Sequence, residues 1–215
     1  MIPAKPSPVR RAKASPAAPP ARRAAILAAA HTCFWKSGIR RTSIEDVANE
    51  AGLAKGTIYL YFDSKEELFA ALAANLCAQA LAGVEGALAG HGPLARRLSA
   101  ALDAKIGHFH RLLAGSAHAA ELLDESASIA ASHLEHLDRE FHDALERALA
   151  RARLGLDAKK RAELLEQVVA AGYGVARQAE LRGRHDPDAE RARLERHVEL
   201  LLRGSGAASP SARRR

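Results

Sequence analysis

The chain has 215 residues, 48% of them hydrophobic but only 4% aromatic, which is enough apolar surface for one large or two small domains. Alanine and leucine dominate, β-branched runs are few and strict alternation is almost absent, which excludes a sheet-built fold and predicts an all-α protein. The formal net charge of +7 comes from the two ends: without Lys5, Arg10, Arg11, Lys13, Arg22, Arg23 and Arg213, Arg214 and Arg215 it becomes −2.

Residues 1–20 are rich in Pro, Ala, Ser, Lys and Arg and hold no acids, the composition of a disordered basic arm. Its prolines, from Pro3 to Pro20, and the lack of an apolar run argue against a signal peptide or a transit helix, so a cytoplasmic location is expected. The first helix is predicted over about Ala21 to Ser37, with Ile26, Ala30 and Phe34 as its stripe, Leu27 beside it and Gly38 ending it. Trp35 is read as covering the core rather than marking a domain junction.

The next stretch carries the strongest local signal. Thr42 with Glu45 has the spacing of a capping box, and Ser43 with Asp46 is a weaker variant. Ile44, Val47, Ala48 and Ala51 share one helix face, and Gly52 supplies the positive φ of a tight exit turn. A second short helix is predicted from about Lys55. At 100° per residue, Ile58 and Phe62 point inward, Gly56, Thr57 and Leu60 point outward, and Tyr59 and Tyr61 flank that outer face. This is a helix-turn-helix whose outer face suits close approach to major-groove base edges. Tyrosines beside it can reach phosphates.

The segments Thr42-Ser43-Ile44-Glu45-Asp46-Val47-Ala48, Ala51-Gly52-Leu53, Lys55-Gly56-Thr57-Ile58-Tyr59-Leu60-Tyr61-Phe62 and Ser64-Lys65-Glu66-Glu67-Leu68-Phe69 resemble the DNA-binding domain of TetR/AcrR-type bacterial regulators. The resemblance covers about residues 22–70. It implies phosphate contacts from Thr42 or Ser43, Tyr59, Tyr61 and Lys65, and base contacts from Lys55, Gly56, Thr57 and Leu60. One departure stands out: the family usually caps its recognition helix with Ser or Thr, and here Ala54 occupies that position. The absent cap is worth about 1 kcal/mol.

Ser64 and Glu67 open a fourth helix with a capping box, and Leu68, Phe69, Leu72, Leu76 and Leu81 carry it towards Gly83 and Gly86. Its most apolar window, Leu68 to Gly83, is shorter than a membrane span. After the break at His91-Gly92-Pro93, helices are predicted at about 93–114, 117–125, 127–154, 158–182 and 187–203, and the end from Gly204 to Arg215 is read as a flexible basic tail. The resulting division is an arm (1–20), a three-helix helix-turn-helix domain (21–66), a second helical domain (67–203) and the tail (204–215). By the same resemblance, the second domain binds a small-molecule effector and dimerises through its last two helices.

Leu164, Leu165, Val168, Val169, Ala171 and Gly172 form one broad apolar face there, and Leu194, Val198, Leu201 and Leu202 form another. Gly172 and Gly174 within a helix each cost roughly 1 kcal/mol against alanine. Close approach at a dimer seam or room for a ligand beside Tyr173 would each compensate, and so plain drift stays open as well. Candidate effector-contacting residues are His108, Phe109, Leu112, His133, Leu137, Phe141 and Tyr173. The histidines at 108, 110, 118, 133, 136 and 142 crowd one third of the chain, yet no zinc-binding signature accompanies them, and Cys33 and Cys77 lack metal spacing. No metal or cofactor is expected.

The leading expectation is a ligand-responsive dimeric repressor binding a palindromic double-stranded DNA operator, with no membrane partner. A non-specific nucleic-acid binder relying on the basic ends is the alternative. A histidine-cluster metalloenzyme lacks a nucleophile motif, a phosphate loop or paired acid and base.

Overall fold

The computed structural model describes residues 19–183 and 186–206, so the basic arm before residue 19 and the tail after residue 206 lie outside the described residues. Among the described residues there are ten α-helices, one π-helical turn and no strand. The first three are α1 (Pro19–Ser37), α2 (Ile44–Ala51) and α3 (Lys55–Tyr59). Then come α4 (Lys65–Ala89) and α5 (Leu94–Leu102), with a π turn (Asp103–Gly107) leading directly into α6 (His108–Ala114). The remainder are α7 (Ala119–Ile129), α8 (Ala131–Arg151), α9 (Ala158–Leu181) and α10 (Pro187–Gly204).

Of the two openings the sequence allows for α2 the structure takes the second, and the box at the start of α4 is altered. The cap of α2 is Ser43, whose hydroxyl accepts from Asp46 N while the Asp46 carboxylate accepts from Ser43 N, completing a capping box one residue later than the Thr42–Glu45 pair. Thr42 is unavailable because its side chain turns into the α1–α2 corner, where Oγ1 donates to Gly38 O at 2.6 Å. Ser64 caps α4, but Glu67 accepts from Asp63 N rather than from Ser64, so that box is shifted by one residue.

Helix α4 passes through Gly83 and Gly86 and runs on to Ala89, just before the expected break at His91-Gly92-Pro93. At 25 residues it is long and apolar enough to cross a membrane by length and composition, contrary to the shorter sequence window. Its apolar face is consumed by the protein itself. Leu68, Phe69 and Leu72 enter the N-terminal core, Cys77 and Ala80 meet Leu137 of α8, and Val84 and Leu88 enter the C-terminal core. Gly83 stays small because an added Cβ would sit 3.2 Å from the Ala104 Cβ, so the glycine lets α4 and the π turn close on each other.

The N-terminal core gathers Ile26, Ala30 and Phe34 of α1, Val47 and Ala48 of α2, Ile58 and Phe62 around α3, and the first turns of α4. Phe34 and Phe69 meet edge to face at 5.6 Å. Leu122, on α7, completes this core and is 1% exposed. The C-terminal core joins Leu98 and Leu102 of α5, Phe141, Leu145 and Leu149 of α8, Leu164 and Val168 of α9, and Leu194 and Val198 of α10.

Much of the apolar surface of α9 and α10 is therefore used inside the protomer. Leu165, Ala171, Leu201 and Leu202 remain half-buried, and Leu181 and Leu200 face outward. Gly172 has an internal reason for being glycine: its Cβ would stand 2.9 Å from Ile106 Cδ1 and 3.2 Å from Leu102 Cδ2. Gly174 has open space instead.

Polar ties lock the π turn to α10. Asp103 accepts from Arg111 at 2.7 Å and from Arg191 at 3.3 Å, and Arg111 also donates to Glu190 at 3.3 Å.

Candidate nucleic-acid interface and effector cavity

Gly52 ends α2 in the left-handed region, with φ 67 and ψ 31, and Leu53 N donates back to Ala48 O at 2.9 Å. The chain then enters α3 through Ala54, which is extended and makes no side-chain cap bond; Thr57 N is bonded to Ala54 O instead. Ile58 and Phe62 are the inward anchors, 0% and 2% exposed. Held by them, Leu60 stands 82% exposed and Tyr59 47% exposed, beside an exposed Gly56 and half-buried Thr57 and Tyr61. Leu60 and Tyr59 therefore take no part in the core that Ile58 and Phe62 enter.

Lys55 lies 3.7 Å from Glu45, an exposed pair that orients the ammonium only loosely. Lys65 Nζ donates to Arg40 O at 3.5 Å. Ser43 is exposed, whereas the Thr42 side chain is 2% exposed and its hydroxyl is already committed, so of the two expected phosphate-contacting hydroxyls only Ser43 presents one.

In the second half, a cavity of about 850 Å³ opens between α6, α7, α8 and α9, with the π turn as its floor. Its apolar wall includes Phe109, Leu113, Leu123, Leu134 and Leu137, and its polar wall is Lys105, Asp138, Tyr173, Arg177, Glu180 and His110. Of the residues expected from sequence, Phe109, Leu137 and Tyr173 line it. Leu112 lines a smaller neighbouring cavity of about 80 Å³, beside Trp35 and Phe69. His108, His133 and Phe141 do not line the large cavity: Phe141 is fully buried in the C-terminal core, and His133 is on the solvent side of α8. His108 is half-buried near His31, and burial, followed by Arg111, pulls its pKa below the usual histidine value while Asp103 opposes the shift. Among the described residues, no three His, Cys, Asp or Glu side chains could hold a metal ion together.

The α6–α7 corner that walls this cavity also holds the N-terminal unit. Trp35 lies at the junction rather than merely over the core: its Nε1 donates to Leu112 O at 2.9 Å, and Ser116 Oγ donates to Trp35 O at 2.8 Å. Arg40 N donates to Glu121 at 2.7 Å, and Arg40 Nε pairs with Glu125 at 3.1 Å.

Residues 26–72 match the family described as bacterial regulatory proteins, tetR family. Over those residues the chain is similar to the TetR family of bacterial regulators. Among curated proteins, it is 43% identical over 65 residues to the uncharacterised HTH-type transcriptional regulator YvdT of Bacillus subtilis, covering 30% of this chain and 34% of that protein. It is also 43% identical over 47 residues to the HTH-type transcriptional repressor KstR2 of Rhodococcus jostii, covering 22% of this chain and 23% of the relative. The chain thus spans about a third or less of the length of these curated relatives. In overall fold it resembles a protein from Pseudomonas aeruginosa PAO1 assigned as a transcriptional regulator. That superposition has a TM-score of 0.69 at 20% identity over 89% of this chain and 95% of that one.

Within the TetR family's pattern, Ala54 remains the departure, since the structure gives α3 no side-chain cap at all. The residues missed in the sequence are the charged ones of the cavity's polar wall, Lys105 and Arg177 above all. One signal for Lys105 was available, a lysine directly followed by Ile106 on a helix face that Leu98, Ala101 and Leu102 make apolar. The Arg40–Glu121 contact spans 81 positions and left no comparable local trace.

Proposed function

We propose that the chain is a DNA-binding transcriptional regulator, acting as a repressor, that reads its operator with the outward face of α3. The observation that carries this reading is the combination of a buried Ile58–Phe62 anchor with Tyr59 and Leu60 held outward beside Gly56 and Thr57. Gly56 admits close backbone approach, Thr57 and Leu60 offer a hydroxyl and methyl groups to base edges, and Ser43, Tyr59, Tyr61, Lys55 and Lys65 surround them as positioning contacts. Thr42 would act through the corner it holds.

A regulator of this type acts as a dimer on a palindromic site. The outward leucines Leu181 and Leu200, with half-buried Leu165, Leu201 and Leu202, are the surface of α9 and α10 left to form that seam. The large cavity would receive the effector. Because its α6–α7 wall also grips Trp35 and Arg40, an effector that favours a different corner geometry would shift the population away from the DNA-competent arrangement.

A mobility-shift titration on the DNA flanking the protein's own gene, at physiological salt, tests the reading. Binding that survives a large excess of unrelated DNA is expected. Equal affinity for any duplex would replace the regulator by a non-specific nucleic-acid binder held by the basic ends.

A further inference from the structure

The polar wall of the cavity has an unusual asymmetry. The Lys105 side chain is 8% exposed, whereas that of its carboxylate partner Asp138 is 56% exposed. A buried ammonium without an anion is costly, but a solvated carboxylate loses little by swinging back into water. The pair is therefore fixed at the cation and exchangeable at the anion.

Two of the three ammonium N–H donors are engaged, by Asp138 and by the Tyr173 hydroxyl at 3.3 Å. The Tyr173 hydroxyl, in accepting from Lys105, keeps its own O–H for an oxygen arriving from the cavity. Arg177, one turn along α9 from Tyr173, adds a second cation on the same rim, bonded to Glu180 at 2.6 Å. A cationic ligand would find both carboxylates already paired. It would also find the nearby ring faces occupied, since Lys105 Nζ lies 4.8 Å from the Phe141 centroid and 5.8 Å from that of Tyr173. Opposite this end, Phe109, Leu113 and Leu134 offer only apolar surface.

We propose that the cavity binds an amphipathic organic anion whose acidic head takes the place of Asp138 on Lys105 while its apolar body lies against α6 and α8. The inference rests on the reading of this cavity as the effector site and assigns the chemical class that site accepts. Exchange of one carboxylate for another keeps the buried charge neutralised throughout. It also frees Asp138 on α8 and draws the ligand's head onto Tyr173 of α9, so that occupancy changes contacts on two walls at once.

Calorimetric titration of the full chain with decanoate, decanol and decylamine at pH 7 separates the possibilities, because the three share one apolar body. The fluorescence of Trp35, the chain's single tryptophan, gives a second readout from the α6–α7 corner behind the cavity, to which it is bonded through Leu112 and Ser116. Decanoate is expected to bind roughly tenfold or more tightly than the other two, the gain of one hydrogen bond to a charged group. Lys105→Gln is expected to abolish that preference and Asp138→Asn to strengthen decanoate several-fold, since it removes the competing carboxylate. A purely structural role for the Lys105–Asp138 pair predicts weaker binding in both variants. The anion assignment is overturned if decanol or decylamine equals decanoate, or if Asp138→Asn weakens decanoate, a result that stands even if Lys105→Gln fails to fold. Binding led by decanol or decylamine would leave the cavity as an effector site of another class. No binding by any of the three would remove the effector reading as well.

Discussion

Replacing Gly38 by alanine probes how the N-terminal unit is joined to α7. Gly38 has φ +79, a left-handed conformation in which alanine is strained by about 1–2 kcal/mol. The same Cβ would stand 2.5 Å from Glu121 Oε2, so the carboxylate that accepts from Arg40 N must move. Losing that partly exposed, charge-assisted bond adds about 1 kcal/mol. The total of about 2–3 kcal/mol lowers Tm by roughly 5–10 °C for a chain of this size. In a Glu121→Ala background the steric part is already relieved, and Gly38→Ala should then cost only the backbone strain. Thermal unfolding of the two single variants and the double variant gives the coupling directly, about 1 kcal/mol. Strict additivity would mean that α7 is not seated on the Gly38 corner in solution.

Leu60→Ala is expected to change base preference among operator variants, whereas Tyr59→Phe and Lys65→Ala weaken all of them alike, as binding curves on a set of single-base substitutions would show. Gly174→Ala, in open space, should raise stability by up to about 1 kcal/mol, while Gly172→Ala should gain less or lose, because Ile106 and Leu102 must yield; denaturation midpoints decide. Ala54→Ser should stabilise α3 by about 0.5–1 kcal/mol, with a matching rise in Tm. His31 and His108 both have pKa values held below 6.5, chiefly by burial. The unfolded chain therefore takes up protons first as pH falls through 6.5, and their contribution to stability is present above that pH and lost below it. Tm measured from pH 7.5 to 5.5 should decline less steeply in His108→Gln.

What could be read from the sequence was local. The α2 face, the Gly52 turn and the inward pair Ile58 and Phe62 follow from periodicity and φ preference within a dozen residues, and the structure places them so. The cap was left between Thr42 and the weaker Ser43 pattern, and only the Gly38 carbonyl, which takes up the Thr42 hydroxyl, decides for Ser43. The cavity was half legible: Phe109, Leu137 and Tyr173 were found as apolar or aromatic residues in the right third of the chain. Lys105, by contrast, meets Tyr173 across 68 positions, and no periodicity reports such a pairing. Gly172 shows the same limit, since an unfavourable helix residue announces that something compensates without saying that it is Ile106.

Leu122 has a consequence for anyone grafting the N-terminal head of this chain onto the C-terminal body of another. A cut within α4 just after Leu72, where the family match ends, leaves the head with a leucine-sized void, because the side chain that fills it is carried on the body side. A chimera that imports residues 19–72 alone inherits the host's residue at that position, and a smaller one would loosen the head at a cost of about 2–5 kcal/mol, the range for a buried leucine truncated to alanine. Compatible hosts are those with a leucine-sized apolar side chain there and an acid one position before it to meet Arg40. Head and body in this protein are thus matched parts, and exchanging one requires carrying a few residues of the other.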